Sequence, residues 1–183
     1  MKPHPVGKIF LICLLGVLLC EPLSAQRPDR TIFQFQHTSW TAKEGAPSPI
    51  YDLAQSPDGY LWIATSAGLY RFDGVRFERF KPPPGQTFQS DNISCLMATP
   101  DGGLWIGLTY GGADFLKDGH VTHYVQPNGV PGGTVAAFAM DRDGIVWAAT
   151  YGGLARFDGS RWQLIGANWG FSGKSAFSLK LGW

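Results

Sequence analysis

Asp58-Gly59-Tyr60-Leu61-Trp62 returns as Asp101-Gly102-Gly103-Leu104-Trp105 and again as Asp143-Gly144-Ile145-Val146-Trp147, so the three tryptophans stand 43 and 42 residues apart. Downstream of the first copy, Gly68-Leu69-Tyr70-Arg71-Phe72-Asp73-Gly74 is matched by Gly153-Leu154-Ala155-Arg156-Phe157-Asp158-Gly159. The middle copy reads Gly112-Ala113-Asp114-Phe115-Leu116-Lys117-Asp118-Gly119, with two extra residues before its Asp-Gly pair. A period near 42 residues marks a solenoid or a propeller, because each unit buries its face only against the next.

The content of one repeat separates the two. In the first copy, residues 50–54, 61–65, 69–72 and 75–80 read as four short strands rich in β-branched, aromatic and apolar side chains. Four strands per repeat make a propeller blade. The predicted fold is therefore all-β, with about three four-stranded blades of an incomplete propeller of about seven. The blades are expected at 50–92, 93–134 and 135–174, with the start of a truncated fourth at 175–183.

Two Asp-Gly pairs per repeat fall between strands. Asp58-Gly59, Asp101-Gly102 and Asp143-Gly144 separate the first strand from the second; Asp73-Gly74, Asp118-Gly119 and Asp158-Gly159 separate the third from the fourth. Tight hairpin turns require positive φ, which both residue types are expected to adopt here. The aspartates thus read as turn formers. A calcium or catalytic role would need convergent oxygens from other loops, and the spacing supplies none, so no metal and no cofactor are expected. Trp62, Trp105 and Trp147 recur at one place in every repeat, which the need of every blade to pack explains better than a sugar platform does.

With 24 Gly, 13 Pro and 7 Trp, 44% hydrophobic and 16% charged residues, the composition is that of a globular β-rich chain. Lys and Arg number 15 against 14 Asp and Glu, a balance that lacks the basic footprint of a nucleic-acid binder. At the N-terminus, Lys2 and Lys8 precede an unbroken apolar run at 9–19, and Leu23-Ser24-Ala25 offers a cleavage site before Gln26. That is the plan of a secretory signal peptide over 1–25, the run being far short of the roughly 20 residues of a membrane span. Of the three cysteines only Cys95 lies beyond it, and a buried small hydrophobe is the expected role.

The opening His37-Thr38-Ser39-Trp40-Thr41-Ala42-Lys43-Glu44-Gly45-Ala46-Pro47, running into Asp58-Gly59-Tyr60-Leu61-Trp62-Ile63-Ala64-Thr65 and Gly68-Leu69-Tyr70-Arg71-Phe72-Asp73-Gly74-Val75-Arg76-Phe77, resembles the two-component regulator propeller repeat. That repeat occurs in the extracytoplasmic sensor region of bacterial hybrid sensor histidine kinases. The resemblance covers about 35–167 and departs at Phe115-Leu116-Lys117, where the Arg-Phe pair is missing. It implies a periplasmic ligand-sensing propeller whose parent continues into a β-sandwich module, a membrane helix and a cytoplasmic kinase.

Residues 26–49 form an N-terminal segment in which Thr31-Ile32-Phe33-Gln34-Phe35 resembles the outer strand of a blade, and Ala176-Phe177-Ser178-Leu179 resembles the inner strand Ala137-Phe138-Ala139-Met140. The chain accordingly reads as the N-terminal piece of a longer sensor, prone to self-association by itself and meeting the membrane only through downstream parts. A kinase core has no room here, and neither a glycine-rich nucleotide loop nor a Gly-x-Ser-x-Gly elbow occurs. Three function classes stay open: a sensor binding a small molecule or saccharide, an extracytoplasmic lyase or hydrolase acting on saccharides, and a protein-interaction scaffold. Asp52 is the candidate ligand contact, because Cys95 and Ala137 hold its place in the other repeats and an acid near a propeller axis can meet a ligand. His120 and His123, three apart on a strand, should point to opposite faces and not share a metal.

Overall fold

Every Asp-Gly pair sits in a turn, and the strands between those turns form three separate four-stranded antiparallel sheets. The computed structural model describes residues 38–180. Blade 1 comprises β1 (Ile50–Gln55), β2 (Leu61–Thr65), β3 (Gly68–Phe72) and β4 (Phe77–Arg79). Blade 2 comprises β5 (Ile93–Ala98), β6 (Leu104–Leu108), β7 (Ala113–Lys117) and β8 (His120–Tyr124). Blade 3 comprises β9 (Val135–Met140), β10 (Val146–Thr150), β11 (Gly153–Phe157) and β12 (Trp162–Ile165). Each is a meander in sequence order, and the innermost strands β1, β5 and β9 lie side by side. The signal peptide at 1–25 and the outer strand at 31–35 lie outside the described residues.

Burial explains the composition of each strand. The second strands are covered on both faces and read as near-continuous apolar runs, Leu61-Trp62-Ile63-Ala64-Thr65 being the first. The outer strands β4 and β8 are largely exposed, and there polar residues return. Trp62, Ala64 and Leu69 of blade 1 pack against Ile93, Leu96, Leu104 and Ile106 of blade 2. One step on, Trp105, Cys95 and Ala113 pack against Val135, Val146, Ala148 and Trp162 of blade 3. Trp105 is 2% exposed and meets Trp162 edge to face at 5.0 Å. Trp147 is only partly buried and stands against Trp169, with 6.2 Å between ring centroids. Trp62 and Trp105 are thus packing elements between blades.

The turns differ in detail from the sequence expectation. Among the turn aspartates only Asp118 has positive φ, at 50°, while Gly59, Gly74, Gly102, Gly119, Gly144 and Gly159 lie between 77° and 97°. Asp118-Gly119 is a two-residue connection between Lys117 and His120, which demands positive φ at both positions. In the other blades the aspartate works through its side chain. Asp73 Oδ1 accepts the N–H groups of Val75 at 2.8 Å and Arg76 at 2.7 Å, and Asp158 Oδ1 accepts those of Ser160 and Arg161 at 2.9 Å each. That turn occupies 73–76, so the fourth strand begins at Phe77 and not at Val75.

The middle copy keeps its third strand despite the missing Arg-Phe pair, and cross-strand pairing shows how. Trp105 pairs with Phe115 as Trp62 pairs with Arg71, which puts one of the two extra residues in the β6–β7 turn and the other ahead of Asp118. In blade 1 the Arg71 guanidinium lies over the Tyr60 ring, 4.9 Å from its centroid. In blade 2 the tyrosine is replaced by Gly103, and the Phe115 ring fills its space: a Cβ on Gly103 would lie 2.4 Å from Phe115 Cζ. The two replacements compensate each other.

Residues 175–180, expected to open a fourth blade as an inner strand, contain no strand. Ala176 donates its N–H to the Thr150 carbonyl at 2.8 Å, and the Phe177 ring meets Tyr151 at 5.1 Å.

Candidate functional site

Each innermost strand carries an irregularity at the same place. Pairing slips between Ile50 and Asp52, between Ile93 and Cys95, and between Val135 and Ala137, so Tyr51, Ser94 and Ala136 are bulged residues. The bulge turns the following side chain toward the next blade. Asp52 Oδ1 accepts the N–H of Leu53 at 2.8 Å, and Oδ2 accepts the N–H of Leu96 on β5, also at 2.8 Å. Cys95, in the equivalent place, sets its Sγ 3.3 Å from the Val135 carbonyl, which also accepts the Ser94 hydroxyl at 2.7 Å. Burial, and then the negative charge of Asp52, push the Cys95 thiol up to about 12, so it is a buried neutral group and not a nucleophile. Asp52 therefore occupies a half-buried seam between inner strands, with both of its oxygens engaged.

A second carboxylate escaped the sequence reading. Asp114 is fully buried on β7, where blades 1 and 3 hold Tyr70 and Ala155. Its Oδ2 accepts the Gln89 N–H at 2.9 Å, and Oδ1 contacts Gln89 Nε2 at 2.5 Å and His123 Nδ1 at 2.6 Å. Gln86 adds two bonds along the exposed edge of β8, donating to the Gly119 carbonyl at 3.0 Å and accepting the Val121 N–H at 2.8 Å. Asp114 thus fastens the connector at 81–92 to the outer hairpin of blade 2. His123 takes part in that clamp, whereas His120 is exposed at the hairpin turn.

The ends of the blades differ in charge. At the Asp-Gly end, Lys117 Nζ lies 2.5 Å from Asp101 Oδ2, and together with the Thr99 hydroxyl it lowers the Asp101 carboxyl to about 2. Asp73 and Asp158 are lowered mainly by their turn N–H groups, and Asp141 first by the Trp147 indole N–H at 2.8 Å. Two repeat-equivalent grooves open there. One of about 610 Å³ lies between blades 1 and 2 beside Trp62 and Arg71, and one of about 680 Å³ lies between blades 2 and 3 beside Trp105 and Phe115. Each is walled by the inter-blade tryptophan and residues of three Asp-Gly turns, so the grooves follow from blade packing. Among the described residues no three His, Cys, Asp or Glu side chains converge as a metal site.

Three consecutive meander sheets with their inner strands in contact define a β-propeller. Within that class, residues 44–67, 87–110 and 129–152 match the two-component regulator propeller family, and the chain belongs to it. A solved extracellular domain assigned to a hybrid two-component system of B. thetaiotaomicron superimposes with a TM-score of 0.67 at 16% identity, over 77% of this chain and 22% of that one. Another, assigned to a one-component system of the same organism, gives 0.56 at 22% identity, over 69% and 17%. At these identities the likeness is one of fold, and the chain spans about a fifth of the length of either relative. No curated protein matches it.

Proposed function

We propose that the chain is the ligand-sensing propeller of the extracytoplasmic region of a two-component sensor. The observation that supports this reading is that the three family-matching stretches stack as successive blades, an architecture shared with the extracellular domain assigned to a hybrid two-component system. Export by residues 1–25 would deliver it to the periplasm. Binding of a small molecule or saccharide then favours one of two conformations of the parent and so changes the state of a kinase across the membrane. The kinase chemistry belongs to other parts of that parent; the role of this chain is recognition.

Two measurements test the reading. Alkaline phosphatase fused after residue 183 should be active, as it is only outside the cytoplasm; an inactive fusion overturns the extracytoplasmic placement. In the producing organism, deletion of the codons for 50–180 should uncouple phosphorylation of the parent kinase from nutrient supply. A gene product without an associated kinase overturns the sensor role.

A further inference from the structure

The two grooves at the Asp-Gly end correspond in position but not in chemistry. Each repeated tryptophan is preceded, six residues earlier, by a side chain that bears an oxygen: Ser56, Thr99 and Asp141. The Trp62 indole N–H donates to Ser56 Oγ at 2.9 Å, and that of Trp147 to Asp141 Oδ2 at 2.8 Å. In blade 2 the Thr99 hydroxyl bonds Asp101 Oδ1, and the Trp105 N–H has no partner among the described residues. The fully enclosed side-chain N–H groups without a partner among those residues are Trp162 Nε1 and Arg156 Nε. That of Trp105 is therefore unpaired yet open, in a residue 2% exposed whose ring walls the groove between blades 2 and 3. Blade packing accounts for the groove, but not for an indole donor left in its wall without an acceptor.

The wall around that donor is apolar. Trp105, Phe115, Tyr124, Met140 and Phe157 line this groove, where the other has Arg71 and Lys117 beside Trp62. Charged groups stand at its rim, and those that line it are engaged within the chain. Asp101 is held by Lys117 and Thr99; Asp158 is held by its turn N–H groups, Gln163 and, at 3.5 Å, Arg161. Phe157 meets Trp105, so its strand neighbour Arg156 points to the other face of blade 3, where the guanidinium lies over the Trp169 ring at 5.5 Å. Arg142 and Asp143, adjacent in the turn beside the groove, are of opposite sign. An ion entering here would lose its water without meeting an unpaired counter-charge.

We infer that this groove binds an uncharged aromatic molecule bearing a carbonyl oxygen, which rests on the sensor reading above and gives its ligand a place and a class. The flat ring lies against the aromatic wall, and the carbonyl accepts the Trp105 N–H. The groove volume of about 680 Å³ falls within that of small-molecule sites, roughly 300–1,000 Å³. A saccharide would find too few polar partners here for its hydroxyls.

The probe is acetylnaphthalene, titrated into the purified, isotope-labelled chain while the indole N–H resonances are followed by NMR. The Trp105 resonance is the one lost in Trp105→Phe. Saturable binding that shifts this resonance is expected. Trp105→Phe keeps an aromatic ring and removes the donor, and should weaken affinity about tenfold, the equivalent of one hydrogen bond. Ethylnaphthalene, which has no oxygen, should bind the parent more weakly by a similar factor. Met140→Trp should fill the groove and abolish binding, whereas Arg71→Ala, in the groove between blades 1 and 2, should change nothing. Circular dichroism melts verify that the variants are folded, and if Trp105→Phe is not, the parent resonance shift and Met140→Trp decide. Binding of naphthoate or naphthylmethylammonium as tight as that of the ketone overturns the uncharged class. Absence of saturable binding, or binding that Met140→Trp leaves intact, overturns the site. Each of these results leaves the phosphatase-fusion and kinase-coupling tests of the sensor role unaffected.

Discussion

The Asp52 carboxylate accepts the backbone N–H of Leu96 at 2.8 Å, joining the innermost strands of two successive blades through one side-chain atom. At the next seam Cys95 and Ser94 approach the Val135 carbonyl instead, so donor and acceptor exchange roles while the place of contact stays the same. Asp52→Ala would leave the Leu96 N–H without its partner. A loss of about 1–3 kcal/mol in urea unfolding is expected. Asp52→Asn keeps one carbonyl oxygen and should cost less. The proposed ligand contact at Asp52 is tested with the same Asn variant: weaker binding at unchanged fold supports it, and unchanged affinity in a titration removes Asp52 from the site.

Trp105→Ala should be among the most destabilising single substitutions, by about 3–5 kcal/mol, because the ring is enclosed by blades 2 and 3. Trp147→Ala should cost distinctly less, its ring being only partly buried. Denaturant midpoints of the two variants compare them directly, and equal shifts would contradict the packing role.

Gly103 and Phe115 should behave as a coupled pair. Gly103→Ala forces a methyl group into the Phe115 ring and should cost about 1–3 kcal/mol. In a Phe115→Ala background the same change should cost less, only the approach to Thr99 Oγ1 at 2.7 Å remaining, which gives a non-additive double-mutant cycle. Additive effects would show that the two replacements are independent.

Acid should act on the Asp-Gly end. The folded-state carboxyl of Asp101 lies at about 2, below its ordinary 3.8, held down first by Lys117 and then by Thr99. A depressed carboxyl contributes stability above its unfolded pKa, and that contribution is lost as pH falls from about 4 toward about 2. Thermal melts between pH 5 and 2 should show the parent losing stability faster than Asp101→Asn. Parallel curves would mean that the exposed ion pair contributes nothing.

Apolar side chains stand on the outward faces of the outer blades: Leu53 on blade 1, half exposed, and Trp169 and Phe177 beyond blade 3, both more than half exposed. The isolated 183-residue chain should therefore associate with rising concentration, as light scattering coupled to size exclusion would show. Leu53→Lys should shift the distribution toward monomer. A strictly monomeric parent with a sharp melt would argue against sticky faces.

The repeat, the blade count over 50–165 and the Asp-Gly turns were legible in the sequence because each rests on short-range chemistry: a ring at one offset, a turn residue at another, apolar runs between. The mode of each turn was less legible, since Asp73 and Asp118 act through different geometries that depend on one residue of strand length. What only the tertiary structure decided are the contacts across blades and connectors. Asp114 reaches Gln89, 25 residues earlier, and Asp52 reaches Leu96, 44 later. Their carboxylates are engaged because packed sheets bring distant backbone groups to a place where water does not compete. The close approach of Gly111, Gly132-Gly133 and Gly152 has the same origin: three segments far apart in the chain approach closely only where none carries a side chain, and no local pattern encodes which segments meet.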